Sequence, residues 1–139
     1  MPRFEKESRT EQFPMPSRVI DSNILIYHLA HDPRVTDALT EWMLGGERLF
    51  ISAITRIEVL AAPTMQPEEE LRIHLLLDRF LFVSVDARIA DTAARIRCLY
   101  RLTLGGSIIA ATALLTNSSL VTRNTRDFKK VSGLVLVSL

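Results

Sequence analysis

Asp21, Glu58 and Asp127 are three carboxylates from well-separated stretches of the chain, one ending a strand-like run, one on the helix after the second such run and one following a later strand. Asp21 follows Val19-Ile20, Glu58 lies in the run from Ser52 to Ala61, and Asp127 follows Leu120-Val121-Thr122 across a short polar turn. Gathered at one sheet edge, they would form a hard-oxygen ligand set with no cysteine or histidine member. Such a set suits Mg²⁺ or Mn²⁺, and an ion held that way activates water and neutralises charge on a phosphodiester, so the chemistry implied is phosphodiester hydrolysis. Each residue also has a plain structural role. Asp21 can cap a helix opening at Ser22, Glu58 can be a solvated helix residue, and Asp127 can close an Asx turn in Asn124-Thr125-Arg126-Asp127.

The elements that would position them alternate. Arg18 to Asp21 reads as a short buried strand, and Ser22 to Ala30 continues it as a helix. Asp32-Pro33 opens a second helix with Val35, Ala38, Leu39 and Trp42 on its apolar side, and Gly45-Gly46 ends it. A strand at Arg48 to Ile51 leads into Ser52, which caps a helix with Ile54, Ile57, Leu60 and Ala61 at helical spacing until Pro63 stops it. That stripe places Glu58 at the border of an apolar face. Pro67 followed by Glu68, Glu69 and Glu70 is a helix start, where carboxylates suit the positive end of the helix dipole. A strand at Leu81 to Val85 follows. Asp86 then caps a long helix expected to turn Ile89, Ala90, Ala93, Ala94, Ile96 and Leu99 inward, and a last helix spans Ser107 to Asn117. Strands at Leu120 to Thr122 and Leu134 to Val137 complete an α/β sandwich with a mostly parallel central sheet. In such sheets functional groups collect at the carboxyl ends of the strands.

Composition narrows the class. The 139 residues leave room for one domain, expected at 15–139, with 1–14 read as a disordered extension, being polar, aperiodic and bounded by Pro2 and Pro14. Hydrophobic residues are 47% and charged residues 24% of the chain, enough for a packed core. No apolar stretch is long enough for a membrane span. Cys98 stands alone, which excludes an internal disulfide and a thiolate zinc site and fits a reducing cytoplasm; its expected place is the core. His28, His31 and His74 share no ligand spacing, and neither phosphate-loop glycine signature occurs.

Although 17 Lys and Arg nearly balance 16 Asp and Glu, positive charge is unevenly spread. Arg95, Arg97, Arg101, Arg123, Arg126, Lys129 and Lys130 face Asp127 as the single acid between them, which makes a local phosphate-binding face plausible. Arg123 and Arg126 flank Asp127 and are the better candidates for phosphate contacts.

The segments Val19-Ile20-Asp21-Ser22-Asn23-Ile24-Leu25-Ile26-Tyr27, Ser52-Ala53-Ile54-Thr55-Arg56-Ile57-Glu58-Val59-Leu60, Ile109-Ala110-Ala111-Thr112-Ala113 and Val121-Thr122-Arg123-Asn124-Thr125-Arg126-Asp127-Phe128 resemble, in order, the successive motifs of PIN-domain proteins, above all the VapC-like toxins of toxin–antitoxin pairs. The resemblance implies a three-layer α/β/α fold and a Mg²⁺-dependent (or Mn²⁺-dependent) endoribonuclease. It also implies metal-binding carboxylates at Asp21, Glu58 and Asp127, with polar support from Asn23, Thr122 and Asn124, together with an antitoxin partner and a homodimer. One position departs. Where the family carries a third acid before Ile-Ala-Ala-Thr-Ala, this chain has Gly106, with Ser107 free to cap the final helix. The expectation is therefore an impaired nuclease or, as the alternative, an inactive module that binds RNA or antitoxin.

Overall fold

The computed structural model describes residues 15–61 and 65–139. The expected extension at 1–14 and the helix stop at Pro63 lie outside the described residues. The order is β1 (Ser17–Ile20), α1 (Ser22–Leu29), α2 (Pro33–Leu44), β2 (Arg48–Ser52), α3 (Ala53–Leu60), α4 (Pro67–Leu77), β3 (Leu81–Val83), α5 (Ala87–Tyr100), α6 (Leu104–Leu115), β4 (Ser119–Val121), α7 (Thr125–Phe128) and β5 (Leu136–Val137). The strands form one sheet in the order β3-β2-β1-β4-β5, and every pairing is parallel. Val19 at its centre pairs with Phe50 on one side and Leu120 on the other.

Alternation along the two central strands builds the layers. Val19 and Leu120 join the core on the α5–α6 face, whereas Ile20 and Val121 join the core beneath α1, α2 and α4. All four are fully buried. At roughly 1.5 to 3 kcal/mol for each large apolar side chain buried, these strand residues are among the strongest reasons for the sheet to form here. The result is an α/β/α sandwich.

Capping explains the helix starts. Asp32 Oδ1 accepts from the amides of Arg34 and Val35 at 3.0 and 3.4 Å, Ser52 Oγ from Ile54 at 3.2 Å, and Asp86 Oδ1 from Ile89 at 2.9 Å. The final helix begins earlier than expected. Thr103, not Ser107, is its cap, accepting from the Gly106 amide at 3.0 Å, while Ser107 is buried one turn in and donates to the Leu104 carbonyl. A threonine side chain just outside the helix satisfies an amide that Ser107 could not reach from within.

Three burial expectations change. Only Ile89, Ala93 and Ile96 of α5 are buried, whereas Ala90, Ala94 and Leu99 face solvent, Leu99 at 70% exposure. The helix packs on α6 through one narrow stripe, so apolar residues flanking it have nothing to cover them. Cys98 is exposed for the same reason. On α3 the buried residues are Thr55 and Val59, and Ile57 is 61% exposed. No single described helix is long and apolar enough to cross a membrane.

Candidate metal centre at the carboxyl edge of the sheet

Because all five strands run the same way, the residues following β1, β2 and β4 emerge at one edge. The first of them after β1 is Asp21, which caps α1: its Oδ1 accepts from the Ser22 amide at 2.8 Å. Its other oxygen accepts from the Thr122 hydroxyl, just past β4, at 2.8 Å. The capping role and a role in the site are therefore compatible, since one oxygen serves each. Asp21 is buried, and that burial raises its pKa above the ordinary carboxylate value against the opposing pull of Thr122 and Ser22.

Glu58 reaches the same place from α3. The Ser22 hydroxyl lies 3.3 Å from Glu58 Oε1 and 3.5 Å from Asp21 Oδ1, so Ser22 sits between the two acids. The Glu58 side chain is largely exposed, but its carboxyl end is partly desolvated there. This raises its pKa; the bond from Ser22 opposes the shift, and the nearby charge of Asp21 adds to it. Among the described residues no lysine or arginine forms an ion pair with either carboxylate. Two acids pressing their charge on one another with no protein cation between them have the chemistry of a cation site with hard-oxygen donors.

Asn23, Thr122 and Asn124 extend the cluster as a hydrogen-bonded chain. Thr122 Oγ1 accepts from the Asn124 amide at 3.0 Å and from Asn23 Nδ2 at 3.4 Å, and the Arg123 amide donates to Asn23 Oδ1 at 3.4 Å. Asn124 Nδ2 in turn donates to Asp127 Oδ2 at 3.1 Å. Asp127 thus connects to Asp21 through two intermediaries. It stands on α7 and is exposed, and among the described residues no three carboxylate, histidine or cysteine side chains converge closely enough to hold a metal.

Gly105 and Gly106 open α6 beside this cluster. A Cβ at 105 would lie 3.6 Å from Ile54 Cγ1 and 4.0 Å from Glu58 Oε1; one at 106 would lie 3.0 Å from Thr103 Oγ1 and 3.7 Å from the Phe128 ring. Position 106 therefore looks into the gap between α6 and α7, on the side of Asp127's helix, and carries no side chain to fill it. The basic candidates divide. Arg126, Lys129 and Lys130 are exposed, whereas the Arg123 guanidinium is turned back onto Tyr27 and Asp32. Ser22 is the member of the cluster that sequence reasoning passed over. Its signal was its place directly after a strand-ending aspartate, at the first position of a helix.

Residues 18–134 match the PIN domain. Ribonuclease VapC19 of Mycobacterium tuberculosis is 28% identical over 116 residues, which cover 80% of this chain and 91% of that protein. A toxin–antitoxin complex from Klebsiella pneumoniae contains a chain with 33% identity and a TM-score of 0.74, matched over 85% of this chain and 95% of its own. VapBC2 from Rickettsia felis, bound to a DNA fragment from its promoter, shares the fold at a TM-score of 0.78 with 20% identity, over 88% of this chain and 98% of that one. The match of the domain to most of the chain, on a parallel sheet that brings Asp21 and Glu58 together, leads to one conclusion: this chain belongs to the PIN-domain family.

Proposed function

We propose that this chain is the cytoplasmic endoribonuclease toxin of a toxin–antitoxin pair, dependent on Mg²⁺ or Mn²⁺ and reduced in turnover by Gly106. The observation that carries the reading is the Asp21–Ser22–Glu58 cluster at the carboxyl edge of the sheet, two partly desolvated acids with no counter-ion among the described residues. Asp21 and Glu58 would hold the cation together with water, and Asp127, joined to Asp21 through Asn124 and Thr122, would act from outside its coordination shell. When bound, the ion supplies charge neutralisation and an activated water for attack on the phosphodiester. Thr122 and the Ser22 amide hold the Asp21 oxygens in place. Arg126, Lys129 and Lys130, exposed on or beside α7, present positive charge to an RNA backbone.

The names of the relatives support an RNA substrate and an antitoxin partner. A homodimer is supported by α4, where Leu71 and Leu75 are 61% and 60% exposed, more apolar surface than a lone helix face needs. Light scattering should give twice the chain mass.

The test is Gly106→Asp. The new carboxylate enters the first turn of α6, where the helix dipole favours it by about 0.3 to 1 kcal/mol, and the exposed Thr103 side chain can give way to the added Cβ. RNA cleavage with Mg²⁺ or Mn²⁺ should rise at least about tenfold, equivalent to about 1.4 kcal/mol of transition-state stabilisation. Mn²⁺ affinity by calorimetry should rise with it. The missing side chain at 106 also favours the second reading, an inactive RNA-binding or antitoxin-binding module. A folded Gly106→Asp chain that cleaves transfer and ribosomal RNAs no better than the parent selects that module instead.

A further inference from the structure

Arg123 lies in the loop between β4 and α7, the short segment that also carries Thr122, Asn124 and Asp127. Its side chain does not reach toward the carboxylates. The guanidinium carbon stacks 3.9 Å above the Tyr27 ring of α1, Nε donates to the Leu139 main-chain oxygen at 3.0 Å, and one terminal nitrogen pairs with Asp32 Oδ2 at 2.6 Å. Asp32 is itself committed, since its other oxygen caps α2. One side chain thereby ties the loop to α1, to the α1–α2 turn and to the residue that ends β5's extension. Only a planar fork with a stackable face makes these three contacts together, and a lysine could make one.

The backbone of the same residue faces the site. The Arg123 amide donates to Asn23 Oδ1, and its neighbours on either side, Thr122 and Asn124, are bonded to one another, with Thr122 donating in turn to Asp21. We propose that Arg123 is a positioning residue, clamping the β4–α7 loop onto Tyr27, Asp32 and Leu139 so that Thr122 keeps its hydroxyl on Asp21. This assignment replaces RNA contact as the role of its guanidinium and rests on the nuclease reading only where activity is the measure.

Two variants test it, each made in the parent and in the Gly106→Asp background. Arg123→Gln removes the clamp. Asp32→Asn removes its charged partner but keeps an α2 cap, asparagine being as good a cap as aspartate. The amide of Asn124, held by Thr122 in the folded protein, reports on the loop by hydrogen exchange without any need for catalysis. It should exchange about tenfold faster in both variants. In the cleaving background kcat should fall about tenfold, with KM and the salt dependence of RNA binding unchanged. A phosphate-contacting arginine behaves oppositely. Arg123→Gln would then raise KM and lower the salt slope by about one, and Asp32→Asn, by freeing the guanidinium, would tighten RNA binding. Either that pattern, or unchanged exchange at Asn124 in Asp32→Asn, overturns the proposal. If neither background cleaves RNA, the nuclease reading fails while the exchange result still decides the clamp.

Discussion

The two ends of the hydrogen-bonded chain from Asp21 to Asp127 are built differently. Asp21 is buried, follows a central strand, caps a helix with one oxygen and receives the Thr122 hydroxyl on the other. Asp127 sits on a four-residue helix at the surface and receives a single bond, from its own neighbour Asn124. The first end is held by the fold itself, because the sheet that places Asp21 is also the centre of the core. The second is held by local contacts, on the short helix whose Phe128 ring lies beside Gly106. The two ends therefore draw on different sources of order.

Asp21→Asn strikes the fold-built end and should have the largest effect. In the Gly106→Asp background it should lower RNA cleavage by at least about a hundredfold, the scale seen when a preorganised electrostatic group is removed. Stability should move the other way. Burial raises the Asp21 pKa, so its folded value lies above its unfolded one. Its contribution is whole at low pH, where the carboxyl is protonated in both states, and is lost as pH rises through the raised value. The amide escapes that loss, so without divalent metal Asp21→Asn should melt above the parent at pH 7 and converge with it below the ordinary carboxylate range. A variant that melts lower at pH 7 would show that the carboxylate is held as an anion by its partners, contrary to the direction given by burial.

Thr122→Val tests the bond between the ends. It removes the donor to Asp21 Oδ2 and the acceptor used by Asn124 and Asn23, at a residue that is fully buried. Leaving a buried acceptor unpaired costs about 1 to 3 kcal/mol, so denaturant unfolding should shift by that much. If it does not, the two ends are independent of one another.

Asp127→Asn should do least to the fold. An exposed residue with one local bond is expected to change stability by no more than about 0.5 kcal/mol, and the asparagine should leave the β4–α7 loop's amide exchange unaltered. A larger loss would mean that the surface end also carries part of the structure.

The positions of Asp21 and Glu58 were legible in sequence for physical reasons. An apolar pair followed by Asp-Ser is a strand handing over to a capped helix, and parallel strands deliver such handovers to one edge. The cap of α6 was not legible. Thr103-Leu104-Gly105-Gly106 has no acidic residue at the fourth position to mark the reciprocal cap, so Ser107, nearer the apolar run, looked like the start. Helical spacing placed Leu99 and Ile57 among inward residues because periodicity defines a stripe but not how much of it a neighbour covers. The partners of Arg123 were beyond local reading altogether. Asp32 is 91 positions away, and nothing near either residue announces the other.

Ser22 carries one hydroxyl hydrogen and lies within reach of two carboxylates, 3.3 Å from one and 3.5 Å from the other. It can point at one acid at a time, and because Asp21 Oδ1 already holds the Ser22 amide, turning this single rotor decides whether Glu58 Oε1 has a donor. That makes the hydroxyl a built-in reporter. A cation held by Asp21 and Glu58 would take over from the shared hydroxyl as the partner of the Glu58 carboxylate, so the carboxylate stretching bands should shift on addition of Mn²⁺ in the parent and in Ser22→Ala alike.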